Sequence, residues 1–103
     1  MIVRMWSGQT APDGAPTYLR HVTEDVSPAL ARIDGFFGAR VLRRDVGSRV
    51  EFVVVTHWRS ISDIRAFAGD DVEIAVVAPQ ARAVLLDFDS TVRHFEVACD
   101  TQE

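Results

Sequence analysis

The chain contains no lysine and no asparagine, and it has one cysteine among 103 residues. All eleven cationic residues are arginines scattered along the chain, and the net charge is -4. Because nucleic-acid binding needs concentrated positive charge, this distribution argues against a nucleic-acid partner. Cys99 cannot form an internal disulfide, and no nearby His or second Cys indicates a metal site or an activated thiol.

The sequence also lacks targeting, membrane-spanning, catalytic and metal-binding motifs, which excludes further classes of protein. No signal peptide and no apolar run long enough to span a bilayer are present, so we expect a cytoplasmic protein with no membrane partner. The sequence has no glycine-rich phosphate loop, nucleophile elbow or HExxH motif. Its acidic pairs, Asp70-Asp71 and Asp87/Asp89, lack the His or Glu neighbours of a metal site. We therefore expect no metal and no cofactor.

The clearest structural signal lies in residues 49–69. Residues 50–58 predict a strand whose central valines favour burial on both faces. Ser60 then predicts a helix N-cap, with Asp63 placed as in a capping box, and Gly69 predicts the helix end. A buried strand therefore leads through a tight turn into a helix.

The remaining patterns complete a β-α-β-β-α-β order. Alternation predicts further strands, helical spacing predicts a first helix bent at Pro28, and a glycine-centred turn predicts a hairpin between the middle strands. This order predicts one α+β domain over residues 1–103, with a ferredoxin-like, four-stranded antiparallel sheet and both helices on one face. The predicted segments are strands over 1–8, 39–46 and 91–98, the first helix over 18–33, the hairpin turn over 45–49, and a short helix over 81–88.

The two helices can cover only one face of this sheet. The strand over residues 50–58 nevertheless favours burial on both faces, and a bare apolar face would promote aggregation. Twofold dimers are the commonest soluble oligomers. We therefore predict a homodimer in which two sheets pack face to face.

Four stretches together resemble the antibiotic-biosynthesis-monooxygenase-like family of dimeric α+β barrels. They are MIVRMWSG, GFFGARVLRR, FVVVTHWRSISDIRAFAG and LLDFDSTVRHFEV, and the resemblance extends over nearly the whole chain. The resemblance implies a pocket between sheet and helices and a monooxygenase that oxidises an aromatic or quinol-type small molecule without a cofactor. Many small members have no established activity, so the alternative is a non-catalytic dimeric module that binds a small hydrophobic ligand.

Some members of the family degrade haem, and these resemble one another in using an Asn, a Trp and an iron-ligating His. Trp58 could match the Trp. This chain, however, has no Asn, and it has no His between Arg59 and Arg93. Haem degradation by that arrangement is therefore disfavoured. The polyketide oxygenases of the family also resemble one another in an Asn that this chain lacks.

A cofactor-independent oxygenase needs a base that deprotonates a phenol, and histidine has a pKa near working pH. His57 and His94, both on predicted strands, are the candidate catalytic bases. The alternatives are a structural or interface role for His57 and a solvated or cross-strand paired side chain for His94. His21 is interpreted as a helix-surface residue beside Asp25.

The candidate ligand-binding residues are Arg4, Trp6 and Trp58. Arg4 and Trp6 share one face of the first strand, where they could anchor an oxyanion and form a floor for a planar ligand. The alternative is a packed Trp beside an Arg that extends to solvent. Trp58 could stack on an aromatic ligand, although a Trp leading into a packed helix is more often a core residue.

Overall fold

The computed structural model describes residues 1–101. Within them, five strands and four helices follow the predicted α+β pattern. A 3₁₀ turn, Pro12–Gly14, precedes the first helix, and a π-helical turn, Val22–Val26, joins the first two. The elements are β1 (Ile2–Thr10), α1 (Ala15–His21), α2 (Ser27–Ala31), β2 (Phe36–Val46), β3 (Arg49–Trp58), α3 (Ile61–Ala68), α4 (Pro79–Arg82), β4 (Leu85–Phe88) and β5 (Arg93–Glu96).

The strands form one antiparallel sheet in the order β2-β3-β1-β4, and β5 also pairs with β1. β4 pairs with residues 8–10 of β1, and β5 pairs with residues 2–5. The predicted fourth strand over 91–98 is therefore shortened to β5, and β4 is an additional strand that lies within the predicted helix over 81–88. Residues 90–92 cannot join the sheet because they bond to the preceding loop: Ala75 N–H donates to Ser90 O and Val92 N–H donates to Glu73 O.

The predicted helix over residues 81–88 is wrong beyond Arg82. Only Pro79–Arg82 is helical, and β4 begins at Leu85. A short apolar run suits either conformation, so periodicity could not separate them. The free edge of β1 decides the outcome, since it supplies hydrogen-bond partners for an extended segment.

The first helical region departs from a regular α-helix at Val22–Val26, just before the predicted bend at Pro28. In this turn the N–H of Ser27 donates to the carbonyl of Val22, a π-type bond five residues back. Pro28 follows at the start of α2. Because proline has no N–H, it cannot continue the regular ladder to the residue four positions earlier.

The segment after β3 confirms the predicted capping. Ser60 Oγ accepts a hydrogen bond from the Asp63 N–H at 3.2 Å, and Gly69 ends α3 with a φ of +81°. Gly35 is also constrained. It has a φ of +87°, and an added Cβ would clash with the Asp63 carboxylate, so glycine is required there.

The helices cover one face of the sheet, where two groups of buried side chains form the core. One group surrounds Tyr18 and Phe52, and the other surrounds Leu30, Trp58 and Ile64. The space between them lies over the middle of β1 and β3. None of the described helices is long and apolar enough to cross a membrane.

The opposite face of the sheet, called here the open face, is apolar and is not covered by any helix in residues 1–101. Strand alternation places Val3, Met5, Val53 and Val55 on this face, and all four are partly exposed. Leu42 on β2 lies beside Val53 and is 49% exposed. The open face is therefore apolar, as the valine-rich strand predicted.

Candidate functional site

A cavity of about 320 Å³ lies between the two core groups, on the helix side of the sheet. Its floor consists of Arg4 and Trp6 from β1 and of Val54 and Thr56 from β3. This volume lies near the lower end of the range for small-molecule sites, about 300–1,000 Å³. The walls are mostly apolar and come from α1, α2, α3, α4 and the loop before α4.

Arg4 is the charged group in the floor of the cavity, and its side chain is almost completely covered. The sheet register places it between Thr56 on β3 and His94 on β5. Its guanidinium donates hydrogen bonds to the backbone carbonyls of Val72 and Ile74. Burial lowers its pKa to about 10, so the side chain remains a cation at neutral pH.

No carboxylate within the described chain forms a salt bridge with Arg4. A buried charge is normally paired, because transfer out of water is costly. Here the polar partners are two carbonyls and the ring of His94. The cavity therefore borders a buried positive charge that an anionic oxygen could neutralise.

His94 lies next to Arg4, with Nε2 at 3.0 Å from the Arg4 Nη1 atom. Burial lowers the pKa of His94, the Arg4 charge lowers it further, and Glu73 partly opposes both effects. Since a guanidinium can only donate, Nε2 of His94 must accept. His94 is therefore neutral, with its proton on Nδ1, and the nitrogen facing Arg4 is already occupied.

Trp6 forms part of the cavity floor. Its indole N–H donates to the carbonyl of Asp89 at 2.8 Å, and its ring packs on Tyr18 with centroids 6.3 Å apart. Gly8 makes room for this ring, because an added Cβ there would lie 2.5 Å from the indole. The predicted pairing of Arg4 and Trp6 on one face is confirmed, and both side chains line the cavity.

His94 contacts Arg4 but does not itself line the cavity, and the other two candidates lie away from it. His57 is on the open face, in register with Val3 of β1, and it does not line the cavity. Trp58 is fully buried in the core, where its ring contacts Phe36 and Phe67, and its N–H donates to the Thr56 hydroxyl. Catalytic and ligand-binding roles for these two residues stay predictions, and the structure does not bring either side chain to the cavity.

Sequence reasoning missed three polar cavity residues that the first helical region contributes. Tyr18 is buried in the wall, and burial raises the pKa of its hydroxyl well above the usual value, so it can act as a hydrogen-bond donor. His21 lines the cavity instead of lying on the helix surface, and Asp25 lines it as well. The spacing of His21 and Asp25 predicted that the two side chains meet. Whether they face the cavity or solvent depends on how the helix packs on the sheet.

Residues 1–101 contain no group of three His, Cys, Asp or Glu side chains that could hold a metal ion. The sequence model for antibiotic biosynthesis monooxygenase matches residues 1–78, which is most of the chain. The chain belongs to this family. No curated protein matches it.

Solved structures of similar fold include proteins with different ligands. The haem-degrader MhuD from Mycobacterium tuberculosis, with two haems bound in its active site, is 25% identical with a TM-score of 0.63 over 99% of this chain and 100% of that one. A monooxygenase from Streptomyces coelicolor, in complex with nanaomycin D, is 12% identical with a TM-score of 0.66 over 99% and 91%. SnoaB, a cofactor-independent oxygenase from Streptomyces nogalater, is 17% identical with a TM-score of 0.60 over 99% and 98%. The latter two likenesses show the fold alone.

Proposed function

We propose that this member of the family is a cofactor-independent monooxygenase that oxidises an aromatic or quinol-type small molecule in the cavity above Arg4. The observation that carries the proposal is the buried Arg4 guanidinium, which has no carboxylate partner among residues 1–101 and lies beside an apolar cavity. A planar phenol would place its ring against the apolar walls. Its oxygen would lie toward Arg4, whose charge would favour the phenolate.

The phenolate matters because an electron-rich anion can itself reduce dioxygen. For a substrate with a benzylic CH₂ group, the balance R₂CH₂ + O₂ → R₂C=O + H₂O needs no external reductant. One oxygen atom enters the new carbonyl, and the other leaves as water with the two hydrogens. The substrate supplies all the electrons. The protein therefore has to bind the substrate, deprotonate its phenol and orient it for reaction.

The second candidate function is a non-catalytic module that binds a small hydrophobic ligand. The observation that favours it is the composition of the cavity, whose walls are mostly apolar, with few polar side chains. Haem degradation finds less support. The chain lacks an Asn, and its His94 uses Nε2 in the contact with Arg4.

We also propose that the protein works as a homodimer through the open face. The support is the partly exposed apolar surface around Val53 and Val55, together with exposed Leu42 and Phe95 at its sides. A second copy would cover these side chains with the open face of its own sheet, because a twofold interface uses the same surface on both copies. A stable monomer at micromolar concentration, measured by size-exclusion chromatography with light scattering, would contradict this part of the proposal.

The test is oxygen consumption with a panel of dihydroxynaphthalenes and anthrones. We expect turnover above the rate in free solution, and we expect Arg4→Met to lower kcat/KM at least tenfold. Arg20→Met is the matched control, because Arg20 is exposed on α1 and does not line the cavity. Ligand binding without turnover would favour the module. Equal losses in both variants would argue against a role for Arg4.

A further inference from the structure

The wall of the cavity carries a histidine–aspartate pair in the region of the π-helical turn. His21 Nδ1 lies 2.9 Å from Asp25 Oδ2. The His21 side chain is 9% exposed, whereas the Asp25 side chain is 58% exposed. Both residues also line the cavity. The imidazole therefore stands between the cavity and a carboxylate that reaches solvent.

The geometry of the helix makes the His21–Asp25 pair face the cavity. Tyr18, His21, Val22, Asp25 and Val26 recur at spacings of three and four residues and all line the cavity. The turn Val22–Val26, which connects His21 to α2, is π-helical. Such turns are rare and are often found at functional sites. His21 and Asp25 thus share one cavity-facing stripe with the buried Tyr18.

The hydrogen bond to Asp25 fixes the tautomer of His21. A carboxylate accepts, so Nδ1 carries the proton and the lone pair lies on Nε2. Among residues 1–101, Nε2 of His21 makes no hydrogen bond. This differs from His94, whose Nε2 already faces Arg4. His21 is the histidine of the cavity with a free acceptor nitrogen.

We propose that His21 is the base that removes the hydroxyl proton of the substrate, with Asp25 as its positioning residue and Arg4 as the partner of the oxyanion. The inference rests on the proposed function. The substrate O–H bond breaks, its electron pair stays on the oxygen, and the proton moves to Nε2 of His21. The imidazolium is then paired with Asp25, and the oxyanion is paired with Arg4.

The other charged and titratable groups around the cavity agree with these roles. Arg4 comes from β1, while Tyr18 and Asp25 share the helical region of His21. Tyr18 stays protonated, so it donates and does not compete as a base. α4 and the loop before it contribute Gln80 and apolar side chains to the described cavity wall, and α3 contributes Phe67. Asp25 is therefore the carboxylate that can stabilise the imidazolium.

The test uses alizarin, a dihydroxyanthraquinone whose visible spectrum distinguishes phenol from phenolate. The pH is varied while the dye is bound to the wild-type protein, to His21→Gln and to Asp25→Asn. Arg20→Gln and Glu24→Gln are matched controls, since both are exposed neighbours outside the cavity wall. Thermal unfolding shows that each variant is folded.

We expect the wild-type protein and both controls to bind the dye as phenolate at a pH where the free dye is neutral. In His21→Gln the phenolate fraction at that pH should fall at least fivefold, and in Asp25→Asn it should fall by a smaller factor. Asp25→Asn changes a mainly exposed side chain, so it keeps the test valid if His21→Gln fails to fold. With a substrate that the protein oxidises, the acid limb of the profile of kcat/KM against pH should disappear in His21→Gln.

The outcomes separate the two proposals. A dye that binds with the wild-type spectrum in folded His21→Gln overturns the assignment of the base and leaves the cavity as a ligand site. If His21→Gln does not fold, an unchanged spectrum in Asp25→Asn overturns the pair. A protein that binds no member of the aromatic panel overturns the proposed function, and this inference with it.

Discussion

Arg4 and His94 face each other across the β1–β5 pair, with Nη1 and Nε2 separated by 3.0 Å. A cation that only donates thus fixes a neutral histidine beside it. Arg4 is also held by the carbonyls of Val72 and Ile74, which lie in the loop after α3. One buried guanidinium therefore connects the sheet, the loop and the cavity.

The first prediction concerns the titration of His94. Burial, and secondarily the charge of Arg4, lower its pKa below the ordinary 6.5. An NMR titration should place the midpoint of His94 below this value. Arg4→Met should move the midpoint upward, though not fully, because burial is the larger cause. A midpoint unaffected by Arg4→Met would show that the two side chains do not interact in solution.

The same shift makes stability depend on pH. Between the ordinary pKa and the lowered one, the unfolded chain binds a proton at residue 94 that the folded protein does not. The contribution of His94 to stability is therefore complete above pH 6.5 and is lost as the pH falls through this window. Urea unfolding at several pH values should show a weaker acid dependence in His94→Gln. An unchanged dependence would contradict the assignment.

The second prediction concerns the charge selectivity of the cavity. Arg4→Met removes the cation but keeps an apolar side chain of similar length. A charge-assisted hydrogen bond contributes about 1.5–3 kcal/mol, so affinity for an anionic aromatic ligand such as 2-naphthoate should fall about tenfold to a hundredfold. Affinity for neutral naphthalene should change much less. Equal losses for both ligands would indicate that the substitution damaged the cavity.

The third prediction compares two buried threonines on the same face of the sheet. Thr10 Oγ1 is buried and has no hydrogen-bond partner among residues 1–101, whereas the Thr56 hydroxyl accepts from the Trp58 indole at 2.8 Å. Thr10→Val should raise the free energy of unfolding by about 1 kcal/mol, because it removes an unsatisfied polar atom. Thr56→Val should lower it by about 1–3 kcal/mol, because the indole N–H loses its acceptor. Urea unfolding checks both signs, and a stabilising Thr56→Val would contradict the prediction.

The fourth prediction addresses the open face. Leu42 and Ile74 are almost equally exposed, at 49% and 50%, but only Leu42 lies on the open face. Leu42→Lys should weaken self-association at least tenfold in analytical ultracentrifugation, because the interface would have to bury a charge. Ile74→Lys, as the control, should leave association unchanged. Equal effects of the two substitutions would argue against the open face as the interface.

Sequence alone determined those features that depend on local pattern. Alternation gave the three long strands and placed Arg4 and Trp6 on one face. Ser60 and Gly69 marked the limits of α3, because cap chemistry acts within one helical turn. Four quoted stretches also resembled the family to which the chain belongs. These signals are carried by neighbouring residues, so no tertiary contact is needed to detect them.

Only the tertiary structure decided which side chains meet in the cavity. The late start of the last strand, at Arg93 instead of the predicted residue 91, depends on hydrogen bonds between residues 73–75 and 90–92, which are distant in sequence. The placement of His57 away from the cavity follows from which face the helices cover, and the placement of His21 follows from how the first helical region packs on the sheet. That no carboxylate of residues 1–101 pairs with Arg4 likewise emerges only after folding. Periodicity assigns a residue to a face, but packing decides what that face encounters.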